Sequence, residues 1–407
     1  MILRARSVVT MDGPPIENGA VVVENNRVTA VGPAPHILAS HSGQVTDLGE
    51  VILLPGLINS HCHLDYTMMR HSILPPHSFT AWIQRINAVK RSLDSQDYLA
   101  SIQQGFAELQ RWGTTAVCNI EAFPELMPLL GPSPIRTWWF YEMIDIRHRL
   151  TPNDVVAGAL AFFKPRENSL DYFGLSPHSP FTASTDLYAL ANTCAEAFNM
   201  PLTTHLAESA EEMAMFLHAS GPLYDFLASL ERPMTDCGHS TPFALLWNSQ
   251  SIHRRWILAH LNELAESDFA LLTSLPKNST PTVVHCPGSH RYFSHSPFPY
   301  RRLHDLGLNL CTATDSLAST STLSLFEELR SLSQSEPWLS PNQLLETVTR
   351  NPAKALRHQG QLGQITPGAL ADLIAIPHSD VYSSILPSVI HYSQPVPWTM
   401  INGHIRS

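Results

Sequence analysis

The middle of the chain alternates between short apolar runs and longer segments in which apolar residues recur at helical spacing. One such helical segment contains Leu99, Ile102, Phe106 and Leu109, and Gly113 follows where it can end the helix. The runs have the length and composition of buried strands, and there are eight of them: 57–63, 115–120, 136–141, 172–178, 201–205, 256–260, 282–286 and 309–315. This alternation is typical of repeated strand–helix units that build a parallel sheet.

Eight such units predict an α/β fold of the (β/α)8 TIM-barrel type. Both chain ends differ from the middle, because short β-rich runs such as 20–23 and 371–376 alternate there with turn residues. We therefore expect residues 1–55 and 360–407 to form one small composite β-sandwich domain. The barrel domain is expected to span residues 56–359.

Polar residues follow several of the predicted barrel strands at the point where each strand ends. In a TIM barrel these ends meet at one face, which carries the active site. His61 and His63 lie two residues apart at the end of the first strand, so their side chains project from the same face. The other strand-end residues are His178 (fourth strand), His205 (fifth), His260 (sixth) and Asp315 (eighth).

Three imidazoles and a carboxylate at one face predict a metal site. Nitrogen and oxygen ligands suit zinc, and iron is the main competitor. The candidate ligands are His61, His63, His205 and Asp315. A divalent metal lowers the pKa of bound water from about 16 to about 7, which makes hydroxide available at neutral pH. The pattern therefore predicts a hydrolase.

Glu208 follows His205 by three residues and is the candidate proton carrier between water and the substrate. The alternative is a solvated acid at a helix start, where acids are favoured. His260 is a candidate for polarising the substrate or stabilising the hydroxide, or else a core histidine. Asp315 could also cap a helix that begins at Ser316. His178 is assigned to substrate contact, because the four ligands already complete the metal shell.

Charge and composition exclude several other functions. The 407 residues are 44% hydrophobic and carry a net charge of -10, without basic clusters interleaved with aromatic residues, so nucleic acid is not an expected partner. No apolar run reaches membrane-spanning length, and a cytoplasmic location is expected. The six cysteines lack close spacing, which predicts reduced thiols and no thiolate zinc site.

The motifs around these residues resemble those of the amidohydrolase superfamily, in particular its cytosine deaminase and triazine hydrolase branch. The resemblance extends along nearly the whole chain. It rests on segments 54–64 (LPGLINSHCHL), 176–182 (SPHSPFT), 204–208 (THLAE), 258–260 (LAH), 285–290 (HCPGSH), 314–319 (TDSLAS), 351–356 (NPAKAL) and 368–373 (GALADL).

The resemblance implies one metal ion at His61, His63, His205 and Asp315, with Glu208 as acid and base and His260 as a further catalytic histidine. Segments 285–290 and 315–319 look most like the nucleoside-deaminating members, which act on adenosine, S-adenosylhomocysteine or aminodeoxyfutalosine. Many of these have asparagine where His290 stands, which leaves the substrate open. Members are often dimeric, so a homodimer is compatible with the resemblance.

The predicted reaction is hydrolytic deamination of a small aminated heterocycle, most closely an adenine-type nucleoside. The alternatives are a chlorohydrolase or amidohydrolase acting on a triazine or cyclic amide, and a non-catalytic metal-binding barrel. Candidate substrate contacts are His178, Trp82, Ser289, His290 and Arg147. Further aromatic candidates, each of which could equally be ordinary packing, are Phe79, Trp138, Trp139 and Phe181.

Overall fold

A computed structural model describes residues 1–75, 77–146, 150–163, 170–253, 255–276, 280–378 and 385–406. The strands are β1 (Ile2–Val8), β2 (Ile16–Glu24), β3 (Arg27–Pro33), β4 (Val45–Asp47), β5 (Val51–Pro55), β6 (Leu57–Cys62), β7 (Thr114–Glu121), β8 (Arg136–Met143), β9 (Asp171–Pro177), β10 (Leu202–Leu206), β11 (Trp256–His260), β12 (Thr282–His285), β13 (Asn309–Thr312), β14 (Leu373–Pro377), β15 (Trp398–Ile401) and β16 (His404–Ile405).

The α-helices are α1 (Ala34–Ser40), α2 (Phe79–Lys90), α3 (Ser95–Arg111), α4 (Pro152–Phe162), α5 (Thr185–Ala197), α6 (Ala210–His218), α7 (Pro222–Ser229), α8 (Pro242–Asn248), α9 (Glu266–Ser274), α10 (Pro287–Phe293), α11 (Tyr300–Asp305), α12 (Leu325–Ser335), α13 (Pro341–Glu346), α14 (Arg350–Ala355) and α15 (Ile385–Ile390). Two 3-10 helices span Leu64–Met69 and Pro124–Leu129. None of the helices in the described ranges is long and apolar enough to cross a membrane.

Strands β6 to β13 form one eight-stranded sheet in chain order, which confirms the predicted barrel. The pairs from β8 to β13 are parallel. Asp315 follows β13 in the chain. Its N–H donates to the carbonyl oxygen of His61 at 3.1 Å, which brings the ends of β13 and β6 together. Strands β6, β7, β10 and β11 are buried along their whole length, as in parallel sheets covered on both faces.

Local sequence signals explain where individual helices begin and end. Helix α3 contains the predicted periodic segment and is followed by Gly113, whose φ of 75° suits glycine at a helix end. Helix α13 begins after Ser340, which forms a capping box with Gln343, and has Pro341 in its first turn. The end of α3 at Gly113 was predicted from the sequence.

The chain ends build a second eight-stranded sheet in the order β16-β15-β14-β5-β1-β2-β3, with β4 paired to β1. Leu3, Val21, Leu53 and Leu373 belong to its buried core. Both ends therefore contribute to one β unit, as expected from their composition.

By density of contacts the chain divides into two compact units, one of Met1–Ser60, Phe106–Val117 and Leu323–Ser407 and one of His61–Gly105 and Cys118–Thr322. The predicted domains, residues 1–55 with 360–407 and residues 56–359, stay a prediction. All six cysteines are free thiols, and five of them are buried.

Candidate active site

The four predicted metal ligands converge at the ends of β6, β10 and β13. Oδ1 of Asp315 lies 3.7 Å from Nε2 of His61 and 3.8 Å from Nε2 of His63. Nε2 of His63 lies 3.2 Å from Nε2 of His205. All four residues are buried. Side chains that are up to 254 residues apart in sequence, from His61 to Asp315, therefore meet in one place because their strands end at one face.

The donor atoms in this cluster fit a metal ion. Among the described residues, neither ring nitrogen of His61 has a hydrogen-bond partner, although the ring is buried. Buried polar atoms normally have partners, so such atoms mark a functional site. Nδ1 of His205 faces the carbonyl oxygen of His178 at 2.9 Å, which places its proton on Nδ1 and leaves the Nε2 lone pair free for a metal. Burial, followed by the neighbouring histidines, lowers the pKa of His61 and His63, so both rings are neutral donors.

Asp315 is oriented by a set of hydrogen bonds. The hydroxyls of Ser289 and Ser319 donate to Oδ2 at 2.7 and 2.9 Å. The N–H of Ser316 donates to Oδ1 at 2.7 Å. Burial raises the pKa of Asp315, and these hydrogen bonds oppose that change. No helix begins at Ser316 in the part of the chain that is described; α12 begins at Leu325, so Asp315 does not act as the helix cap considered above.

Glu208 and His260 lie beside this cluster. Nε2 of His260 is 3.7 Å from Oε1 of Glu208 and belongs with His61 and His205 to a second group of atoms close enough to share a metal. Burial is the main cause that raises the pKa of Glu208 well above its ordinary value, and the charge of Asp315 adds to it. Glu208 is only 7% exposed and precedes Ser209, the cap of α6, so the solvated helix-start alternative is wrong.

The backbone bends sharply directly after these strands. Ala207, His260, Leu261 and Asp315 all have positive φ, between 50° and 75°. Such values cost residues other than glycine about 1–3 kcal/mol each and cluster at functional sites. These residues lie in or next to the cluster, so the rest of the fold stabilises a costly backbone conformation at the site.

A cavity of about 130 Å³ opens onto the cluster. Its polar end includes His63, His205, Glu208, His260 and Asp315. Eight of its apolar lining residues are called here the apolar wall: Phe79, Trp82, Ile83 and Ile86 from α2, Leu223, Phe226 and Leu227 from α7, and Phe181. A cavity with a polar end and an apolar wall suits a flat heterocycle that carries a less polar substituent.

Some of the predicted substrate contacts line the cavity, and others do not. His178, Trp82, Phe79 and Phe181 line the cavity. Ser289 contacts Asp315 and Ser319 instead, and Nε2 of His290 faces the carbonyl oxygen of Ser296 at 2.8 Å. Neither is among the lining residues that the structure describes. Trp138 stacks on Tyr172, and Trp139 donates to Asp171, both away from this cavity. Arg147 lies outside the described residues.

Sequence reasoning missed several polar residues of the cavity. Lys90 and Glu142 line it, and Nζ of Lys90 donates to the hydroxyl of Tyr66 at 2.7 Å. The ring of Tyr66 stacks on that of His63 with centroids 5.4 Å apart. Glu142 near the end of β8 could have been found, because strand ends were already the criterion. Lys90 could not, since a lysine in the last turn of a helix is usually a solvated end residue.

Residues 52–406 match the model of the amidohydrolase family, and the chain belongs to this family. A 5-methylthioadenosine/S-adenosylhomocysteine deaminase of Pyrococcus furiosus is 28% identical over 391 residues, which cover 92% of this chain and 86% of that protein. An aminodeoxyfutalosine deaminase of Deinococcus radiodurans is 27% identical and covers 82% of this chain and 80% of its own length.

A solved structure shares the fold over the complete chain. The crystal structure of Helicobacter pylori aminofutalosine deaminase in complex with methylthio-coformycin has a TM-score of 0.88 and 20% identity, with 100% of both chains covered. The resemblance to the amidohydrolase superfamily inferred from the motifs is therefore confirmed at the level of family and fold.

Proposed function

We propose that this chain is a metal-dependent aminohydrolase that deaminates an adenine-type nucleoside and releases ammonia. The observation that carries the proposal is the position of Glu208, which is buried and lines the same cavity as His63, His205 and Asp315. The named deaminase relatives support the choice of substrate class.

His61, His63, His205 and Asp315 would hold one divalent metal, with zinc the first candidate and iron the second. When bound, such an ion supplies hydroxide at neutral pH by lowering the pKa of water from about 16 to about 7. Ser289 and Ser319 orient Asp315 by bonding its Oδ2, which leaves Oδ1 facing the imidazoles. Burial lowers the pKa of the His61 and His63 rings, so both rings are neutral and can offer a nitrogen lone pair to a metal ion.

Glu208 transfers protons between water and the substrate in this proposal. Water adds to the ring carbon that bears the amine, the C–N bond breaks, and the amine leaves as ammonia. Burial raises the pKa of Glu208, so its carboxyl group keeps a proton to higher pH than an exposed glutamate does and can deliver it to the adjacent ring nitrogen. His260, 3.7 Å away, helps to orient the attacking oxygen, and Asp315 with Glu208 assists the departure of ammonia.

His178 lines the cavity beside His205 and contacts the substrate in this proposal. Nδ1 of its ring lies 2.6 Å from the hydroxyl of Thr182, which fixes the ring orientation. Burial lowers the pKa of His178, so the ring is neutral and can offer Nε2 to a ring atom of the base. The proposal further includes a cytoplasmic place of action, a small-molecule partner and a homodimer as candidate assembly.

The test is an ammonia-release screen with zinc-loaded protein on adenosine, 5′-methylthioadenosine, S-adenosylhomocysteine, aminodeoxyfutalosine, pterins, pyrimidines and triazines, with chloride measured in parallel. We expect ammonia from at least one adenine-type nucleoside. Glu208→Gln should keep its metal and lose about 10²–10⁴-fold in kcat. Chloride or a ring-opened amide as the main product would overturn the proposal, as would tight binding of one compound without turnover of any.

A further inference from the structure

The first turn of α2 is held by a carboxylate from a different helix. The N–H groups of a first turn have no acceptor within their own helix. The side chain of Ser78 accepts from Ala81, whereas the N–H groups of Phe79 and Thr80 donate to Oε1 and Oε2 of Glu211, each at 3.0 Å. The hydroxyl of Thr80 donates to the same carboxylate. The negative charge is favoured there by the positive end of the helix dipole.

Glu211 is the second residue of α6 and lies three residues after Glu208. Between them, Ser209 caps α6, and Oε2 of Glu212 accepts the N–H of Glu208 at 2.7 Å. The segment from 208 to 211 therefore carries the proposed proton carrier at one end and the anchor of α2 at the other. Both ends are fixed by hydrogen bonds, so the position of α2 is tied to that of Glu208.

Helix α2 supplies half of the apolar wall, with Phe79 as its first residue. We propose that Glu211 is a positioning residue, which holds α2 so that the apolar wall stands at the correct distance from Glu208 and the metal cluster. Glu211 is not among the lining residues of the described cavity, so it acts through α2 and not by touching the substrate. The kinetic part of this inference rests on the proposed function, because it requires a substrate that contacts the wall.

Glu211→Gln tests the role, since the amide can accept one N–H but turns its NH2 group toward the other. We expect amide exchange in peptides covering 79–90 to accelerate about tenfold, with exchange in β10 unchanged. KM for the deaminated nucleoside should rise about tenfold, while kcat stays within about threefold. Glu266→Gln is the matched control: it changes the same residue type in the first turn of α9, where Glu266 is exposed and paired with Arg302, and should alter neither quantity.

Hydrogen exchange needs no substrate, so it decides the anchoring role even if the proposed function fails. Unchanged exchange across α2 in Glu211→Gln would overturn the inference. A fall in kcat at constant KM would also overturn it, because the residue would then serve the chemical step. Should Glu211→Gln fail to fold, Thr80→Val replaces it: this variant loses only the hydroxyl contact, and we expect a smaller change in exchange and KM in the same direction, with no change in either counting against the proposal.

Discussion

The Nε2 atoms of His63 and His205 face each other at 3.2 Å, although 142 residues separate them in sequence. The Nδ1 proton of His205 points to the carbonyl oxygen of His178, so its Nε2 presents a lone pair. Oδ1 of Asp315 lies 3.8 Å from Nε2 of His63 and brings negative charge to the same point. The lone pair of His205 and the carboxylate of Asp315 therefore face the same buried place, where a cation compensates the buried negative charge.

Removal of metal should therefore reduce stability as well as activity. An ion that binds only the folded chain stabilises it, by about 4 kcal/mol when present at about a thousandfold its dissociation constant. We expect a chelator to lower the melting temperature and readdition of zinc to restore it, with one metal per chain by mass spectrometry of the native protein. His63→Ala should lose the ion and this response, whereas His36→Ala, on the exposed side of α1, should keep both. If a chelator left the melting temperature of the metal-loaded protein unchanged, the assignment of these residues as metal ligands would be contradicted.

Ser289 should tune the site through Asp315. Without its hydroxyl, Oδ2 of Asp315 keeps only the hydrogen bond from Ser319, and the carboxylate is less firmly oriented. Mutation of a group that orients a metal ligand typically lowers metal affinity or activity by about 10–100-fold. We expect Ser289→Ala to weaken zinc binding by about tenfold in competition with a chromogenic chelator. Ser274→Ala, which removes an exposed hydroxyl that donates to the carbonyl oxygen of Leu271, is the control and should bind zinc normally. Equal affinities of the two variants would contradict this role of Ser289.

Much of the barrel could be predicted because its strands are short apolar runs that end in polar residues. His61 and His63, for example, follow a run that is buried along its whole length in β6. The apolar run predicts the strand, and the two histidines mark its end. The same pattern therefore predicts both the barrel fold and the metal site. Glu208 was found for the same reason, three residues beyond His205.

The surroundings of the site could not be predicted, because they depend on contacts between elements distant in sequence. Ser289 and His290 are adjacent, yet the first bonds Asp315 and the second faces Ser296. Glu211 resembles any acid in a first turn, and only the structure brings it to the N–H groups of Phe79 and Thr80. Trp82 and Trp138 are equally aromatic, and only the first lines the cavity.

Glu212 should make stability depend on pH in a defined direction. Burial raises the pKa of Glu212 to about 7, although its carboxylate accepts the N–H groups of Ala207 and Glu208. Between the unfolded value of about 4.3 and about 7, the folded state binds the proton and the unfolded state does not, so the contribution to stability falls as pH rises. It is complete below about pH 4.3 and lost above about pH 7.

The measurement is the difference in unfolding free energy between the wild type and Glu212→Gln, from urea titrations at pH 4.5 to 8.5. Because other groups cancel in this difference, we expect it to shift against the wild type by up to about 3 kcal/mol across that interval. Glu266→Gln, at an exposed position, should give no comparable slope between pH 5.5 and 8.5. A difference that grows in favour of the wild type with rising pH would mean that the two N–H bonds outweigh burial.

Arg232 should be far more important for stability than a surface arginine with equally short contacts. Its guanidinium group is buried, pairs with Asp236 at 2.7 Å, and donates to the carbonyl oxygens of Pro180 and Phe181. Asp236 keeps 28% of its side chain exposed, so removing Arg232 should cost less than the about 3–5 kcal/mol typical of a fully buried pair. Arg302 forms contacts of 2.6 and 2.8 Å with Glu266, but both side chains are exposed, so water replaces the lost contact.

We therefore expect Arg232→Met to lower the melting temperature by several degrees and Arg302→Met to leave it nearly unchanged, as measured by scanning calorimetry of the zinc-loaded protein. Arg232→Met should also raise KM, because Phe181 belongs to the apolar wall and loses the hydrogen bond that fixes its carbonyl group. The double variant Arg232→Met with Asp236→Leu removes both charges and should recover part of the stability but not the KM, since the bonds to Pro180 and Phe181 stay absent. Full recovery of KM in the double variant would show that the uncompensated charge of Asp236, and not the two carbonyl contacts, disturbs the wall.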